Sequence, residues 1–291
     1  MSAETEPQRT IAFQGAPGAY SDLACRHVFP DMTTLPCVAF EDAFAAVAEG
    51  EAALAMIPIE NSVAGRVADV HHLMPLSGLH IIGEHFDPVN HHLLGLPGAT
   101  LDEVKRVRSH VHALSQCRNF IRAHGLQPVV RADTAGSAAE IKELNDPSVA
   151  AIASELAGEI YGLVSLARNI EDAEHNTTRF LILSRERVEA PRGRPTVTTF
   201  VFNVRNVPAA LYKALGGFAT NGINMTKLES YMVGGQFTAT QFYADVEAHP
   251  DDRPLELALE ELAFFSTEVR ILGVYPAHPS RMAARQEEIQ K

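Results

Sequence analysis

The chain has 291 residues, of which 46% are hydrophobic and 21% are charged, and its formal net charge is -12 at pH 7. This length is sufficient to bury a large core, and we expect two domains. The negative charge argues against binding to nucleic acid or to an anionic membrane, because such surfaces depend on clustered Lys and Arg. A small molecule is therefore the expected partner.

The N-terminus and the cysteines indicate where the protein works. MSAETEPQRT lacks the basic start and apolar run of a signal peptide, and no stretch reaches the roughly 20 apolar residues of a membrane span. A cytoplasmic location is expected. Cys25, Cys37 and Cys117 are odd in number, widely spaced and without a C-x-x-C pair, so they predict neither disulfides nor a zinc site. We interpret them as buried or inactive thiols.

From residue 10, short apolar runs alternate with amphipathic segments. The predicted strands are TIAFQ, CVAF, ALAMIPIE, KRVRS, PVVRA, SVAAIAS and FLILS. Their alternation with helical segments predicts α/β units and a mostly parallel sheet. HVHALSQCRNFIRAHG is predicted to be one helix that ends at Gly125, and residues 171–176 also have a helical, acid-rich pattern. Residues 185–195, RERVEAPRGRP, are the predicted linker.

Beyond the linker, the pattern predicts a separate α+β unit. TVTTFVFNV is a predicted strand, PAALYKALGGFATNG a helix, and INMTKLESYMV and QFTATQFYADVEA are two strands joined at Gly234-Gly235. The helix LELALEELAFF and the strand EVRILGVYP follow. The order is βαββαβ, the ferredoxin-like arrangement.

Several common sites have no support in the sequence. G-x-G-x-x-G, G-x-x-x-x-G-K-[ST] and G-x-S-x-G are all absent. The 13 histidines include His71-His72, His91-His92 and His110-x-His112, but adjacent side chains point apart and no H-E-x-x-H occurs. We therefore expect surface or structural histidines, no metal site and no cofactor.

Polar sets recur at the ends of predicted strands: GAPGAYS, IENSVAG, SHVHALSQC, ADTAGSAA and NTTRF. Loops that follow parallel strands meet at one edge of a sheet, where ligands bind. The alternative interpretation is that Ser21, Ser62 and Ser137 cap helices and that Gly15 and Gly18 make turns. Both interpretations stay open, because a helix N-terminus can also bind an anion.

Four of these segments resemble the motifs of the prephenate dehydratase family in order and spacing: GAPGAYS at 15–21, PIENSVAG at 58–65, SHVHALSQC at 109–117 and NIEDAEHNTTRFLIL at 169–183. The resemblance implies a hydro-lyase domain over residues 8–185, with two α/β lobes similar to a periplasmic binding protein and the substrate in the cleft between them. It implies conversion of prephenate to phenylpyruvate, water and carbon dioxide, without a cofactor, in L-phenylalanine biosynthesis.

The resemblance also implies roles for particular residues. Thr178 would donate a hydrogen bond or proton to the departing hydroxyl. Asn61, Ser109 and Gln116 would orient the substrate, and Ser21 is assigned to the same binding set. Ser109 and Gln116 would share a face if a helix began at Ser109. Arg179 would pair with a substrate carboxylate, unless strand alternation turns it away.

The C-terminal unit, residues 196–276, resembles the ACT regulatory domain that follows the catalytic part in this family. The residues expected to bind L-phenylalanine are Ala210, Leu211, Asn221, Asn224, Glu229 and Ser230. The chain departs from the family pattern, because Ala209-Ala210-Leu211-Tyr212 replaces G-A-L-V and Glu229-Ser230-Tyr231-Met232 replaces E-S-R-P. The resemblance implies feedback inhibition by L-phenylalanine and a homodimer or homotetramer, whose ACT units pair through their strand edges.

Three alternatives stay open at this point. The first is the same dehydration of arogenate, which has an amino group where prephenate has a keto oxygen. The second is a non-catalytic, two-lobed binding protein fused to an amino-acid sensor. The third concerns only the C-terminal half, which would serve assembly without binding an effector.

Overall fold

The computed structural model describes residues 7–232 and 239–282. The chain divides into two compact units, one formed by Met1–Val70 and His85–Phe180 and the other by His71–Glu84 and Leu181–Lys291. Each unit is thus assembled from two separate stretches of sequence. The domain limits 8–185 and 196–276 stay a prediction.

The first sheet of the first unit is centred on its first strand. The elements in chain order are β1 (Thr10–Gln14), α1 (Tyr20–Val28), β2 (Thr33–Cys37), α2 (Phe40–Glu49), β3 (Leu54–Asn61), β4 (Gly65–Arg66) and α3 (Ala68–Leu73). β1 pairs in parallel with β2 on one side and β3 on the other, and β4 pairs antiparallel with the end of β3. The predicted parallel α/β units are therefore present.

After β5 (His80–Pro88), the chain builds the second sheet of the first unit. Its elements are β6 (His92–Gly95), β7 (Arg106–His110), α4 (Val111–Gln116), α5 (Arg118–Ala123), β8 (Gln127–Arg131), α6 (Thr134–Leu144), β9 (Val149–Ala153), α7 (Glu155–Tyr161) and β10 (Val164–Ala167). The strand order is β10-β6-β9-β7-β8. All five residues of β9 are buried, as its unbroken apolar sequence predicts for a strand covered on both faces.

Strand β11 (Thr177–Ser184) begins in the first unit and ends in the second. It lies next to β3, and the backbone N–H of Ser62, just past the end of β3, donates to the carbonyl oxygen of Thr177 at 2.9 Å. Because side chains alternate along a strand, Thr178 and Phe180 share one face of β11 and Arg179 lies on the other.

The second unit contains the predicted βαββαβ order. Its elements are β12 (Thr196–Val204), α8 (Ala210–Thr220), β13 (Met225–Met232), β14 (Ala239–Val246), α9 (Arg253–Phe265) and β15 (Ser266–Pro276). The sheet order is β13-β14-β12-β15, with antiparallel pairs, and its core contains Phe200, Phe202 and Phe218. The predicted turn at Gly234-Gly235 lies outside the described residues.

Two helix predictions are wrong, for one reason. The segment from His110 to Gly125 forms two helices that break at Cys117, and residues 171–176 form no helix. The carboxylate of Asp172 accepts the backbone N–H groups of Arg118 (3.0 Å) and Asn119 (3.1 Å), which begins α5 at that point. An acidic side chain in an irregular segment thus caps a helix distant in sequence.

Three simpler predictions have clear outcomes. Residues 185–195 contain no helix or strand, as expected for a linker. The three cysteines are free and buried, which confirms their interpretation as buried thiols. Among the described residues, no helix combines the length and the apolar character needed to cross a bilayer. The cytoplasmic location stays a prediction.

Candidate active site

A cavity of about 580 Å³ lies in the first unit, where loops that follow strands of both sheets meet. Its volume is within the roughly 300–1,000 Å³ usual for small-molecule sites. Four of the predicted site residues line it: Ser21, Asn61, Gln116 and Thr178. The described lining residues include neither Ser109 nor Arg179.

Asn61 is the residue around which the polar contacts of the cavity are organised. Its side-chain oxygen accepts the backbone N–H groups of Val63 (2.9 Å) and Ala64 (2.8 Å) in the turn that follows β3. These two bonds fix the orientation of the amide. Its nitrogen therefore faces β11 and donates to the Thr178 hydroxyl oxygen at 3.0 Å and to Asn176 Oδ1 at 2.8 Å.

This contact determines what the Thr178 hydroxyl can do. Its oxygen accepts from Asn61, so its own proton remains available to a group in the cavity. Thr178 is held by strand β11 on one side and by the Asn61 amide on the other. The arrangement provides a hydrogen-bond donor at a fixed position in the cavity.

A chain of hydrogen bonds continues from Asn61 to Tyr20. Gln116 Nε2 lies 3.4 Å from Asn61 Oδ1, so the Gln116 amide oxygen faces His91 Nε2 at 2.8 Å. With the His91 proton on Nε2, its Nδ1 faces the Tyr20 hydroxyl at 2.6 Å, and that hydroxyl also lies 3.0 Å from the Asn90 carbonyl oxygen. Hydrogen bonds thus connect Asn61, Gln116, His91 and Tyr20 in one network.

Burial keeps the titratable side chains of this hydrogen-bond network uncharged. It lowers the pKa of His91 below its ordinary value, so the imidazole is neutral at pH 7. Burial also raises the pKa of Tyr20 well above its ordinary value, so the phenol retains its proton. The backbone N–H of His91 donates to the Glu171 carboxylate at 2.8 Å, which fixes the main chain beside the ring.

Ser109 is not where a shared helical face with Gln116 would place it. It lies on β7, fully buried, and its hydroxyl donates to the Ile152 carbonyl at 2.6 Å. Helix α4 begins only at Val111, with His110 as its N-cap. The Ser109 hydroxyl therefore ties β7 to β9, and the expected common face does not form.

Arg179 is turned away from the cavity by strand alternation, the second of the two outcomes that the sequence left open. Its guanidinium pairs with the Glu60 carboxylate at 2.9 Å, and the side chain is only 3% exposed. Arg66, on β4, is among the described residues that line the cavity. Because β4 pairs with β3, Arg66 is placed directly across from Glu60.

The predicted serine caps differ from the observed ones. Ser21 lies in the first turn of α1, whose N-cap is Ala19, and it is 8% exposed. Asp133 caps α6 by accepting the Gly136 N–H at 2.5 Å, whereas the Ser137 hydroxyl donates back to the Asp133 carbonyl. The Ser62 hydroxyl donates to the His175 carbonyl.

In the second unit, the six residues expected to bind L-phenylalanine lie on three different parts of the fold. Ala210 and Leu211 begin α8, whereas Asn221 is its C-cap and Asn224 follows. The 11 residues of α8 separate these two groups by about 16 Å, more than the length of a phenylalanine molecule. Glu229 and Ser230 lie on β13, the edge strand of the described sheet.

Sequence reasoning missed Tyr20, His91, Arg66 and Asn176. Tyr20 lies inside the motif GAPGAYS and Arg66 directly follows PIENSVAG, so the positions of these motifs indicate both residues. His91 was considered only as half of a metal-binding pair. Its hydrogen-bond partners are 25 and 71 residues away in sequence, and no local pattern indicates them.

Comparison with known proteins agrees with the geometry. The family model for prephenate dehydratase matches residues 11–188. A bifunctional N-acyl-homoserine lactone acylase/prephenate dehydratase of Komagataeibacter europaeus is 56% identical over 94% of this chain and 98% of its own length. Arogenate dehydratase/prephenate dehydratase 1 of Arabidopsis thaliana is 42% identical over 91% of this chain and 71% of its own length.

A solved structure extends the likeness to the whole fold. The prephenate dehydratase from Arthrobacter aurescens, in complex with L-Phe, is 32% identical and superimposes with a TM-score of 0.85 over 97% of this chain and 98% of its own. The sequence motifs, the fold and these relatives agree over most of the chain. The chain therefore belongs to the prephenate dehydratase family and is a hydro-lyase.

Proposed function

We propose that the chain converts prephenate to phenylpyruvate, water and carbon dioxide as a step of L-phenylalanine biosynthesis, and that Thr178 is its catalytic residue. The observation that carries the proposal is the Asn61–Thr178 contact, which leaves the threonine proton available at a fixed point in the cavity. The relative from Komagataeibacter europaeus supports prephenate as the substrate, since its name includes prephenate dehydratase.

The chemistry requires little more than such a donor. The bond from the ring to its carboxylate breaks, and its electron pair enters the ring as the C–O bond to the hydroxyl breaks. The hydroxyl leaves as water after gaining one proton, and the ring becomes aromatic. A hydrogen bond from Thr178 to the departing oxygen stabilises the developing negative charge, and it is stronger in a cavity that excludes water.

The two substrate carboxylates require local positive charge, because the net charge of -12 opposes an anion at long range. Arg66 lines the cavity, as do residues at the start of α1, including Tyr20 and Ser21. Free N–H groups at helix N-termini favour anions. We assign carboxylate binding to Arg66 and to the start of α1, in place of Arg179.

Feedback inhibition by L-phenylalanine through the second unit is part of the proposal. Its βαββαβ order is that of an ACT domain, and the Arthrobacter aurescens relative was solved with L-Phe. The two groups of candidate residues lie at opposite ends of α8, so we place a complete effector site between two copies of the chain. Pairing through the edge strand β13 would bring such copies together.

Turnover by the purified protein tests the main proposal. Phenylpyruvate should form from prephenate and should decrease as L-phenylalanine is added. Arogenate, followed as phenylalanine formation, is the parallel substrate that tests the alternative found in the names of the plant relatives. An N-acyl-homoserine lactone should be included as well, because the 56% identical relative is also named as an acylase of that compound.

The outcomes of this assay separate the hypotheses. Product from arogenate alone would replace prephenate as the substrate. Saturable binding of prephenate without product, in folded protein, would support the two-lobed binding protein and refute the enzyme. If phenylalanine changes neither the rate nor the oligomer size seen by light scattering, the second unit serves assembly only.

A further inference from the structure

Three side chains outside the cavity converge in the first unit: His27, His85 and Asp87. His85 and Asp87 are two residues apart on β5 and therefore point to the same face, and His27 lies in the last turn of α1. Their ligand atoms all lie within 4.8 Å of one another. None of the three lines the cavity that contains Thr178.

The distances fit a metal ion. His27 Nδ1 lies 3.2 Å from Asp87 Oδ1, and His85 Nε2 lies 3.8 Å from the same oxygen. Three ligands of a tetrahedral zinc ion, each about 2.0–2.1 Å from the metal, are roughly 3.3 Å from one another. The two distances to Asp87 Oδ1 are close to this spacing, and the two histidine nitrogens, which lie within 4.8 Å of each other, need to approach by at most about 1.5 Å.

The donor set also indicates which metals would bind. Two imidazoles and one carboxylate suit zinc and its transition-metal neighbours, whereas magnesium and calcium require a shell of oxygen ligands. The Asp87 side chain is 9% exposed and that of His27 is 51% exposed, so the carboxylate is sheltered while one side remains open to solvent. We propose that His27, His85 and Asp87 form a binding site for a divalent transition metal ion such as zinc.

The position of the site gives it a structural role. Helix α1 begins at Tyr20, whose hydroxyl contacts His91, and β5 leads directly to the segment that carries His91. A metal held by both elements would join the far end of α1 to β5. Because the ligands lie outside the cavity, the ion would stabilise the first unit without taking part in the reaction.

Calorimetric titration of the purified protein tests the site, after treatment with EDTA and removal of the chelator. Zinc chloride should bind with one equivalent in a tight phase, and magnesium chloride should not. Removing an outer-sphere partner of a metal ligand typically weakens binding by about 10- to 100-fold, so losing a ligand should cost at least that much. We expect at least a tenfold loss in His27→Ala and in His85→Ala.

Controls address the other histidines of the chain. His124→Ala removes an exposed histidine at the C-terminal end of α5 and should leave the tight phase unchanged. Zinc should raise the thermal unfolding midpoint of the unaltered protein and of H124A, but not that of H27A. Because His27 is half-exposed, H27A is expected to fold even if H85A does not.

Equal zinc affinity in the unaltered protein and in H27A would overturn the proposal, since the tight phase would then belong to other groups. Equal affinity for magnesium and zinc would overturn it too. Neither result depends on turnover of prephenate, so the site and the proposed function can fail independently.

Discussion

The side-chain nitrogen of Asn61 lies 3.0 Å from the hydroxyl oxygen of Thr178 and donates to it. The two residues are 117 positions apart in the sequence, at the end of β3 and the start of β11. Their contact fixes the threonine as a donor toward the cavity, and the first prediction follows from it.

Thr178→Ala should lower kcat by about 10²- to 10⁴-fold, the range expected when a positioned proton donor is removed. KM should change little, because the carboxylate-binding groups remain. Thr178→Ser keeps the hydroxyl and is the matched control, with activity much closer to the unaltered enzyme. Steady-state kinetics on prephenate measures both variants, and an unchanged kcat in T178A would remove Thr178 from the mechanism.

His91 should act as a positioning residue through Gln116. His91→Leu removes the donor to the Gln116 amide oxygen, leaves that amide free to rotate, and should lower kcat about tenfold, the equivalent of one lost hydrogen bond of roughly 1.4 kcal/mol. His91→Gln supplies a replacement N–H and should recover part of the loss. Equal rates in H91L and H91Q would show that only packing matters at this position.

The free energy of unfolding should decrease as the pH is lowered through the range in which the buried histidines acquire protons. Burial lowers the pKa values of His91 and His92, whereas the unfolded chain titrates near its ordinary value of about 6.5. Below that pH the unfolded state binds more protons, so the stability present above it is lost as pH falls. Urea unfolding at pH 7.5 and 5.5 measures this difference.

His91→Gln should show a smaller loss between the two pH values than the unaltered protein, and the exposed His124→Ala should show the full loss. If the unaltered protein has the same free energy of unfolding at both pH values, the two buried rings contribute nothing to the pH dependence.

Gly18→Ala should destabilise the first unit by about 2–5 kcal/mol. Gly18 has φ +88°, and a Cβ there would lie 2.7 Å from the Ala157 Cα of helix α7, so strain of about 1–2 kcal/mol adds to a backbone clash of about 1–3 kcal/mol. Gly125→Ala is the matched control, because its φ is +61° with nothing within 4 Å of the new Cβ. Equal losses in urea unfolding would show that the contact with α7 is irrelevant.

Ala209→Gly should stabilise the second unit by about 0.5–1 kcal/mol. Ala209 has φ +61°, a conformation that glycine adopts without strain, and it stands where the family motif has glycine. Ala219→Gly, at an exposed position inside α8, should do the opposite by a similar amount. Thermal unfolding compares the two variants, and destabilisation by A209G would show that the αL strain is absent in solution.

The fold was predictable where local pattern and burial agree. The apolar run of β9 and the β-branched and aromatic residues of β12 are properties of the residues themselves. The break between α4 and α5 was not predictable, because its cause is the Asp172 carboxylate, 54 residues from Arg118. Local propensity favours one continuous helix there, and a distant cap overrides it.

The candidate site likewise contains residues that local motifs predict and residues whose role depends on distant contacts. Thr178, Asn61 and Gln116 were found because they lie in motifs with a fixed order, and the structure brings them together. Ser109 was assigned from its motif, and the face it would share with Gln116 required a helix beginning at Ser109, whereas α4 begins at Val111. The role of His91 could not be read from the sequence, since it is defined only by Gln116 and Tyr20 on either side of its ring.

The pairing of Ser62 with Thr177 has a consequence for the chemical lifetime of the enzyme. Asparagine is among the thermally labile residues, and it deamidates when the backbone nitrogen of the next residue attacks its side-chain carbonyl. Here that nitrogen belongs to Ser62, and its N–H is held at 2.9 Å on the Thr177 carbonyl, while the Asn61 carbonyl oxygen is held by Val63 and Ala64. The same bonds that position Thr178 at the cavity thus oppose the deamidation of Asn61. Deamidation would produce an aspartate, which cannot donate a hydrogen bond to Thr178.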